Sequence, residues 1–201
     1  MFVQMFTAEV ADAEAVRAVL EGWSTAAGRD AAGWLGTTAG ITDDGRLVVL
    51  ARFESEEVAR ANSDRPEQGR WWDSLAAHFK GEASFFDSDD VDADIVGDPD
   101  AAGFVQVMRG QVSDPVRARE LSQRDSGVWA AHRPDILGSL LLSRADGGYV
   151  MAVYFTSEAD ARAGETKEPP PELSAQMAEL GALAVGDVTY FDLRDPWLVT
   201  P

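Results

Sequence analysis

No cysteine occurs in these 201 residues, and histidine appears only at His78 and His132. The first absence removes disulfides, thiolate nucleophiles and Cys-ligated metals. It suits a reducing compartment, and the cytoplasm is the expected location. The second removes a His-rich metal site. No Gly-rich phosphate loop or Ser-His-Asp order stands in its place, so neither a metal nor a cofactor is expected. Basic side chains are scarce, 17 against 35 acidic ones, for a net charge of -18. Such a surface repels nucleic acid and anionic lipid, and neither is an expected partner. Long apolar runs are missing too, none approaching the roughly 18 residues of a membrane span. The N-terminus opens at once on a strand, Phe2-Val3-Gln4-Met5-Phe6, without the basic n-region of a signal peptide.

What is present is an ordinary 45% of hydrophobic residues, enough for a core in one large domain or two small ones. A shift of 102 residues resolves that choice. It lays Phe2-Val3-Gln4 on Phe104-Val105-Gln106, Leu35-Gly36 on Leu137-Gly138, and Asp44-Gly45 on Asp146-Gly147. Phe53-x-Ser55-Glu56 falls on Phe155-x-Ser157-Glu158. Over positions 2–61, 18 of 60 residues are identical without a gap, where chance gives about four. The chain is an internal duplication.

Each copy carries the same signals. A first strand leads to Asp12 or Asp114, an N-cap before a helix, with Pro115 at the first helical position of the second copy. Val16, Val19, Leu20 and Trp23 form one apolar stripe at helical spacing. Strands at 34–41 and 46–53 flank Asp43-Asp44-Gly45, a hairpin turn. Ser55 and Ser157 start a second helical region, which Pro66 or the prolines at 169–171 interrupt. A last strand closes each unit at 83–87 and 188–192. The order βαββαβ is ferredoxin-like.

The organisation expected is a first repeat over 1–88, an acidic linker over 89–102 and a second repeat over 103–201. The linker follows from seven aspartates between Asp87 and Ala102. Asp90-x-Asp92-x-Asp94 has the opening of a calcium loop, but Ile95 and Ala101 stand where the glycine and closing carboxylate belong. A solvated linker is the expectation.

One ferredoxin-like unit leaves a sheet face bare, so the expected fold is α+β, two such units packed sheet to sheet as a pseudo-dimeric α/β barrel. Arg52-Phe53-Glu54-Ser55-Glu56-Glu57 and Tyr154-Phe155-Thr156-Ser157-Glu158-Ala159 resemble the strand-to-helix junction of the dimeric α/β-barrel superfamily, in particular its antibiotic-biosynthesis monooxygenase group. The resemblance covers nearly the whole chain, once per half. It implies a pocket between each sheet and its helices, and a family ranging from cofactor-independent oxygenases of polycyclic phenols to haem degraders. Haem degraders of this kind pair a helix-2 Trp with a His ligand. That His position falls on Trp72 in one copy and near Ser174 in the other, so haem is not expected.

The expected function is therefore binding of a small hydrophobic or aromatic molecule, with cofactor-independent oxygenation as the candidate reaction. The alternative is a non-catalytic binding or interaction module with filled pockets. The expected state is a monomer with an internal pseudo-dimer, or a homodimer. Trp71 and Trp72 suit a pocket wall, against the alternative of core packing. His78 suits proton transfer and Arg52 an anion anchor, forming the candidate catalytic pair. Tyr154, matched to Arg52, suits a hydrogen-bond donor to ligand, against a solvent-facing edge position. Asn62 at the helix-2 break is a candidate ligand contact, against a local cap. Gln4 and Gln106 are assigned to the sheet–sheet face, against the alternative of reaching a pocket. Because the second copy lacks the two tryptophans, the better pocket is expected in the first.

Overall fold

The computed structural model describes residues 1–23, 27–124 and 126–201. The chain divides into unit 1, Met1–Asp89 with Asp195–Pro201, and unit 2, Asp90–Arg194.

Unit 1 contains β1 (Phe2–Glu9), α1 (Ala13–Trp23), β2 (Trp34–Ile41), β3 (Arg46–Phe53), α2 (Glu56–Ser63), α3 (Pro66–Ala76) and β4 (Ser84–Ser88). Unit 2 contains β5 (Asp90–Ile95), β6 (Phe104–Gln111), α4 (Pro115–Ser122), α5 (Ser126–His132), β7 (Ile136–Ser143), β8 (Gly148–Phe155), α6 (Glu158–Glu165), α7 (Pro171–Leu183) and β9 (Thr189–Leu193). The chain then returns to unit 1 as β10 (Trp197–Val199). Both sheets are antiparallel and five-stranded, ordered β10-β2-β3-β1-β4 and β5-β7-β8-β6-β9. Two tandem ferredoxin-like repeats are thus established. Among the described residues no helix is long and apolar enough to cross a membrane.

The helix starts follow from their caps. Asp12 Oδ1 accepts from Ala15 N at 3.0 Å, Asp114 Oδ1 from Arg117 N at 2.9 Å, and Ser157 Oγ from Asp160 N at 3.1 Å. Each replaces a missing helical partner and contributes about 1 kcal/mol. In unit 1 the core gathers Phe6, Val16, Leu47, Val49 and Leu75, with Val16, Leu47 and Leu75 fully buried. Val48 and Leu50, facing the other way on β3, are buried as well, so the sheet has no wet face along this strand.

Two elements depart from the sequence-based expectation. The stretch expected to be a solvated linker contains β5, whose Asp90–Ile95 pair with Ser143–Gly138 of β7. Its aspartates alternate with Val91, Ala93 and Ile95 at period two, the strand signature that their number obscures. Asp90 and Asp92 are also neutralised, both pairing with Arg119. The second is α5, a helix at Ser126–His132 that the expected βαββαβ order does not contain.

The repeat-matched glycines Gly36 and Gly138 admit the two added strands. Both sit at register shifts, and a Cβ there would meet Val199 O at 2.9 Å or Asp94 O at 2.9 Å. Gly36 also has φ of +133°, where side-chain-bearing residues are strained. Gly36→Ala should cost roughly 1–3 kcal/mol in chemical unfolding and expose the β10 segment to protease first. A variant as stable and as resistant as the parent would count against this role.

Candidate functional site

Unit 1 holds a cavity of about 390 Å3 between its sheet and α1, α2 and α3. Its floor is the sheet face carrying Gln4 and Phe6 of β1, Thr37 and Ala39 of β2, and Val49, Ala51 and Phe53 of β3. The space exists because the floor is small at its centre. Ala39 and Ala51 correspond to Leu141 and Val153 in unit 2. The walls are aromatic, with four of the six tryptophans, Trp23, Trp71, Trp72 and Trp197, on the lining. Trp72 stands edge-on to Phe6 at 5.1 Å between centroids and lies 5.6 Å from Phe85. Trp23 is 4.8 Å from Trp34 and 6.3 Å from Trp71. Trp71 Nε1 donates to Val19 O at 3.1 Å, tying α3 to α1. Edge-to-face networks of this kind hold ring orientation and leave faces for a ligand.

The polar groups on this lining are few and mostly committed at one end. Asn62, 5% exposed, accepts through Oδ1 from Arg65 Nη1 at 2.9 Å. Gln68 Oε1 accepts from Trp23 Nε1 at 2.9 Å, and Thr37 Oγ1 from Trp34 Nε1 at 3.0 Å. Gln4 Nε2 donates to Asp87 Oδ2 at 3.4 Å. Glu21 is the one ionisable side chain on the described lining. It is exposed at the mouth and pairs with Arg17, which also reaches Asp195 at 3.1 Å and lies 5.2 Å over the Trp197 ring. Hydrogen bonds from Arg17 to Glu21 and Asp195 raise its pKa further above the usual guanidinium value. Trp197 Nε1 is buried without a hydrogen-bond partner among the described residues. No group of three or more metal-ligating side chains occurs among them.

Of the residues singled out from sequence, Trp71, Trp72 and Asn62 come together on this lining. His78, Arg52 and Tyr154 do not. His78 lies in the turn after α3, where its carbonyl accepts from Ala11 N at 2.8 Å, and its ring is absent from the lining. Arg52 falls between Ala51 and Phe53 and so points from the opposite sheet face, 3.4 Å from Thr38 Oγ1. Tyr154 shares that parity in unit 2 and is 3% exposed, a buried side chain and not an edge one. Strand parity also corrects Gln4, which reaches the cavity and not the far face. Sequence reasoning misses Trp23, Gln68 and Trp197 as site residues. Trp23 reads as part of the core stripe, Gln68 carries no motif, and three residues of β10 show no periodicity.

Unit 2 fills the matching space differently. Asn62 corresponds to Gly164 and Ala31 to Arg133. The Arg133 guanidinium lies over Gly164, where an added Cβ would approach its Nε to within clashing range. It sits 5.5 Å over the Phe155 ring and pairs with Asp135 at 2.7 Å, both side chains being about one-tenth exposed, 11% and 8%. Gln176, 1% exposed, is likewise committed, accepting from Trp129 Nε1 at 2.7 Å and donating to Arg124 O at 2.8 Å.

No protein-family model matches the sequence, and no curated protein matches it. Solved structures match in fold. A candidate monooxygenase from Lactobacillus acidophilus gives a TM-score of 0.71 over 98% of this chain and 98% of its own, at 10% identity. An anthrone oxidase-like protein gives 0.69 over 98% and 92% at 12% identity. A regulator of staphylococcal pathogenesis gives 0.54 over 94% and 97% at 10% identity. This chain therefore shares the tandem ferredoxin-like fold of these structures over nearly its whole length. The same fold serves a regulator, so activity has to be argued from the site.

Proposed function

We propose that this chain binds a flat aromatic small molecule in the unit 1 cavity and oxidises it with molecular oxygen without a cofactor. The observation that supports this most directly is the buried Asn62 amide on an aromatic-walled cavity. An aromatic pocket with a few converging polar groups is the usual form of a small-molecule site. The anthrone oxidase-like neighbour supplies a substrate to try. Anthrone loses a methylene proton to give an enolate, whose oxygen takes hydrogen bonds from the amide of Asn62. The proton leaves to water at the mouth, beside Glu21. The enolate carbon then reacts with dioxygen. One oxygen atom ends as a new carbonyl on the former methylene carbon, and the other leaves as water with the two methylene hydrogens. The carbon gives up four electrons and dioxygen takes all four, so no other reductant is consumed. Water exclusion and a preorganised donor are what the protein adds. His78 and Arg52 have no part in this scheme.

An oxygen electrode tests the reading. Purified protein with anthrone should consume one dioxygen per anthrone above the protein-free rate, and Asn62→Ala should slow turnover roughly 100-fold, the cost of one oxyanion donor. Uptake at the protein-free rate, with an aromatic probe still binding one to one, would remove the oxygenase step and leave a binding protein.

A further inference from the structure

We propose that Arg65 is a positioning residue: it holds the Asn62 amide with its donor end towards the cavity, and so selects neutral ligands that present a carbonyl oxygen. This rests on the cavity being the ligand site proposed above.

An amide has an accepting and a donating end, and its environment decides which faces a ligand. Arginine only donates, so the contact from Arg65 Nη1 fixes Asn62 Oδ1 on the side away from the ligand. Arg65 is itself anchored, its Nη2 donating to Ala27 O at 2.7 Å. Asn62 Nδ2 makes no hydrogen bond among the described residues, although the side chain is 5% exposed and lies on the lining. That nitrogen is not sealed off, since Trp197 Nε1 is the buried side-chain donor left without a partner among the described residues. A donor open to a cavity and lacking a protein partner is one that a ligand can pair without breaking another bond. The guanidinium also polarises the amide, strengthening the N–H that remains.

The duplication provides an internal control. The backbone turn after α2 is the same in both halves, Arg65 N bonding Asn62 O at 3.2 Å and Lys167 N bonding Gly164 O at 3.1 Å. The turn therefore forms without an Asn–Arg side-chain pair, and local capping does not account for it. Gln68 repeats the logic. Its Oε1 is occupied by Trp23 Nε1, an obligate donor, which leaves Nε2 for a ligand. Two amides on the helix side of the cavity thus offer donors. No Lys, Arg or His is on the described lining to balance an anion, in a chain of net charge -18. A ligand that enters as a neutral carbonyl satisfies both conditions, whereas a carboxylate enters charged and fails the second. The enolate of the proposed reaction forms only once its oxygen is already held by these donors.

Fluorene and 9-fluorenone test this, since the two tricyclic probes differ only in a methylene against a carbonyl. Affinities are read from quenching of tryptophan fluorescence. The parent protein should bind fluorenone at least tenfold tighter than fluorene. Asn62→Ala and Arg65→Met should each bring that ratio within twofold while leaving the fluorene affinity alone, and the double variant should add nothing. A merely structural role for Arg65 would weaken both probes together. Asn62→Asp keeps size and the Arg65 pairing but presents only oxygen, and should reverse the preference, which tests the idea even if Arg65→Met does not fold. An unchanged ratio in Arg65→Met or in Asn62→Asp overturns the proposal. Equal affinities in the parent overturn the selectivity while the ligand site stands. Failure of both probes to bind removes the ligand site and the proposal with it.

Discussion

Trp72→Ala should weaken binding of a neutral aromatic probe such as Nile red about 30-fold, equivalent to about 2 kcal/mol. Trp72 is half-buried, edge-on to Phe6 at 5.1 Å, and contacts Phe79 and Phe85 at 6.0 and 5.6 Å. Removing the indole therefore takes away a wall and loosens the rings that shape the rest. Stability should fall by about 1–3 kcal/mol, less than the roughly 3–5 kcal/mol of a fully buried tryptophan, with unfolding still cooperative. Trp129→Ala in unit 2 should leave the probe affinity within about twofold. A folded Trp72→Ala protein with the parent's affinity would leave Trp72 a packing residue and nothing more.

The second large effect belongs to unit 2. Asp135→Ala should cost about 3–5 kcal/mol in urea unfolding, because it strands the Arg133 charge in a nearly closed site. Burial pushes the Asp135 pKa up, but hydrogen bonds from Arg133 and from backbone, and then the guanidinium charge, outweigh it and hold the carboxyl below its usual value. A depressed carboxylate stabilises the fold above its unfolded pKa, and that contribution is lost as pH falls through the lower folded value. Stability should thus be full at neutral pH and decline below about pH 4, and the decline should be shallower in Asp135→Ala. Arg133→Met with Asp135→Leu should return close to the parent. A cost under about 1 kcal/mol for the single variant would mean that Arg133 finds water or another partner.

Much of this architecture is legible in the sequence because duplication shows every signal twice. The caps at Asp114 and Ser157, the strand pair at 34–41 and 46–53 and the break at Pro66 are local devices, readable from a few neighbouring residues. The two added strands are not. β5 hides behind its carboxylates, and β10 is three residues long, with Trp197 lying opposite Ala39 from the far end of the chain. The site divides along the same line. Large aromatics present in one copy and absent from the other mark Trp71 and Trp72. Arg52 and Gln4 fall on the sheet faces opposite to those expected, because parity depends on which face the helices cover, something pattern alone leaves open. Arg65 gives no signal at all, since its role depends on the rotamer of a neighbour.

The return of the chain as β10 sets an order of events during synthesis. Unit 1 emerges first, yet the cavity wall formed by Trp197 and Val199 is not translated until unit 2 is complete. At about 5–20 residues per second, the gap between Asp89 and Val199 lasts roughly 5–20 s. Throughout that interval β2 is an open sheet edge beside an unfinished apolar hollow, the kind of surface that chaperones recognise. A nascent chain at this stage lacks one wall of the cavity in which a ligand is proposed to bind. A frameshift or stop codon just before Asp195 would release two nearly intact repeats without a closed site.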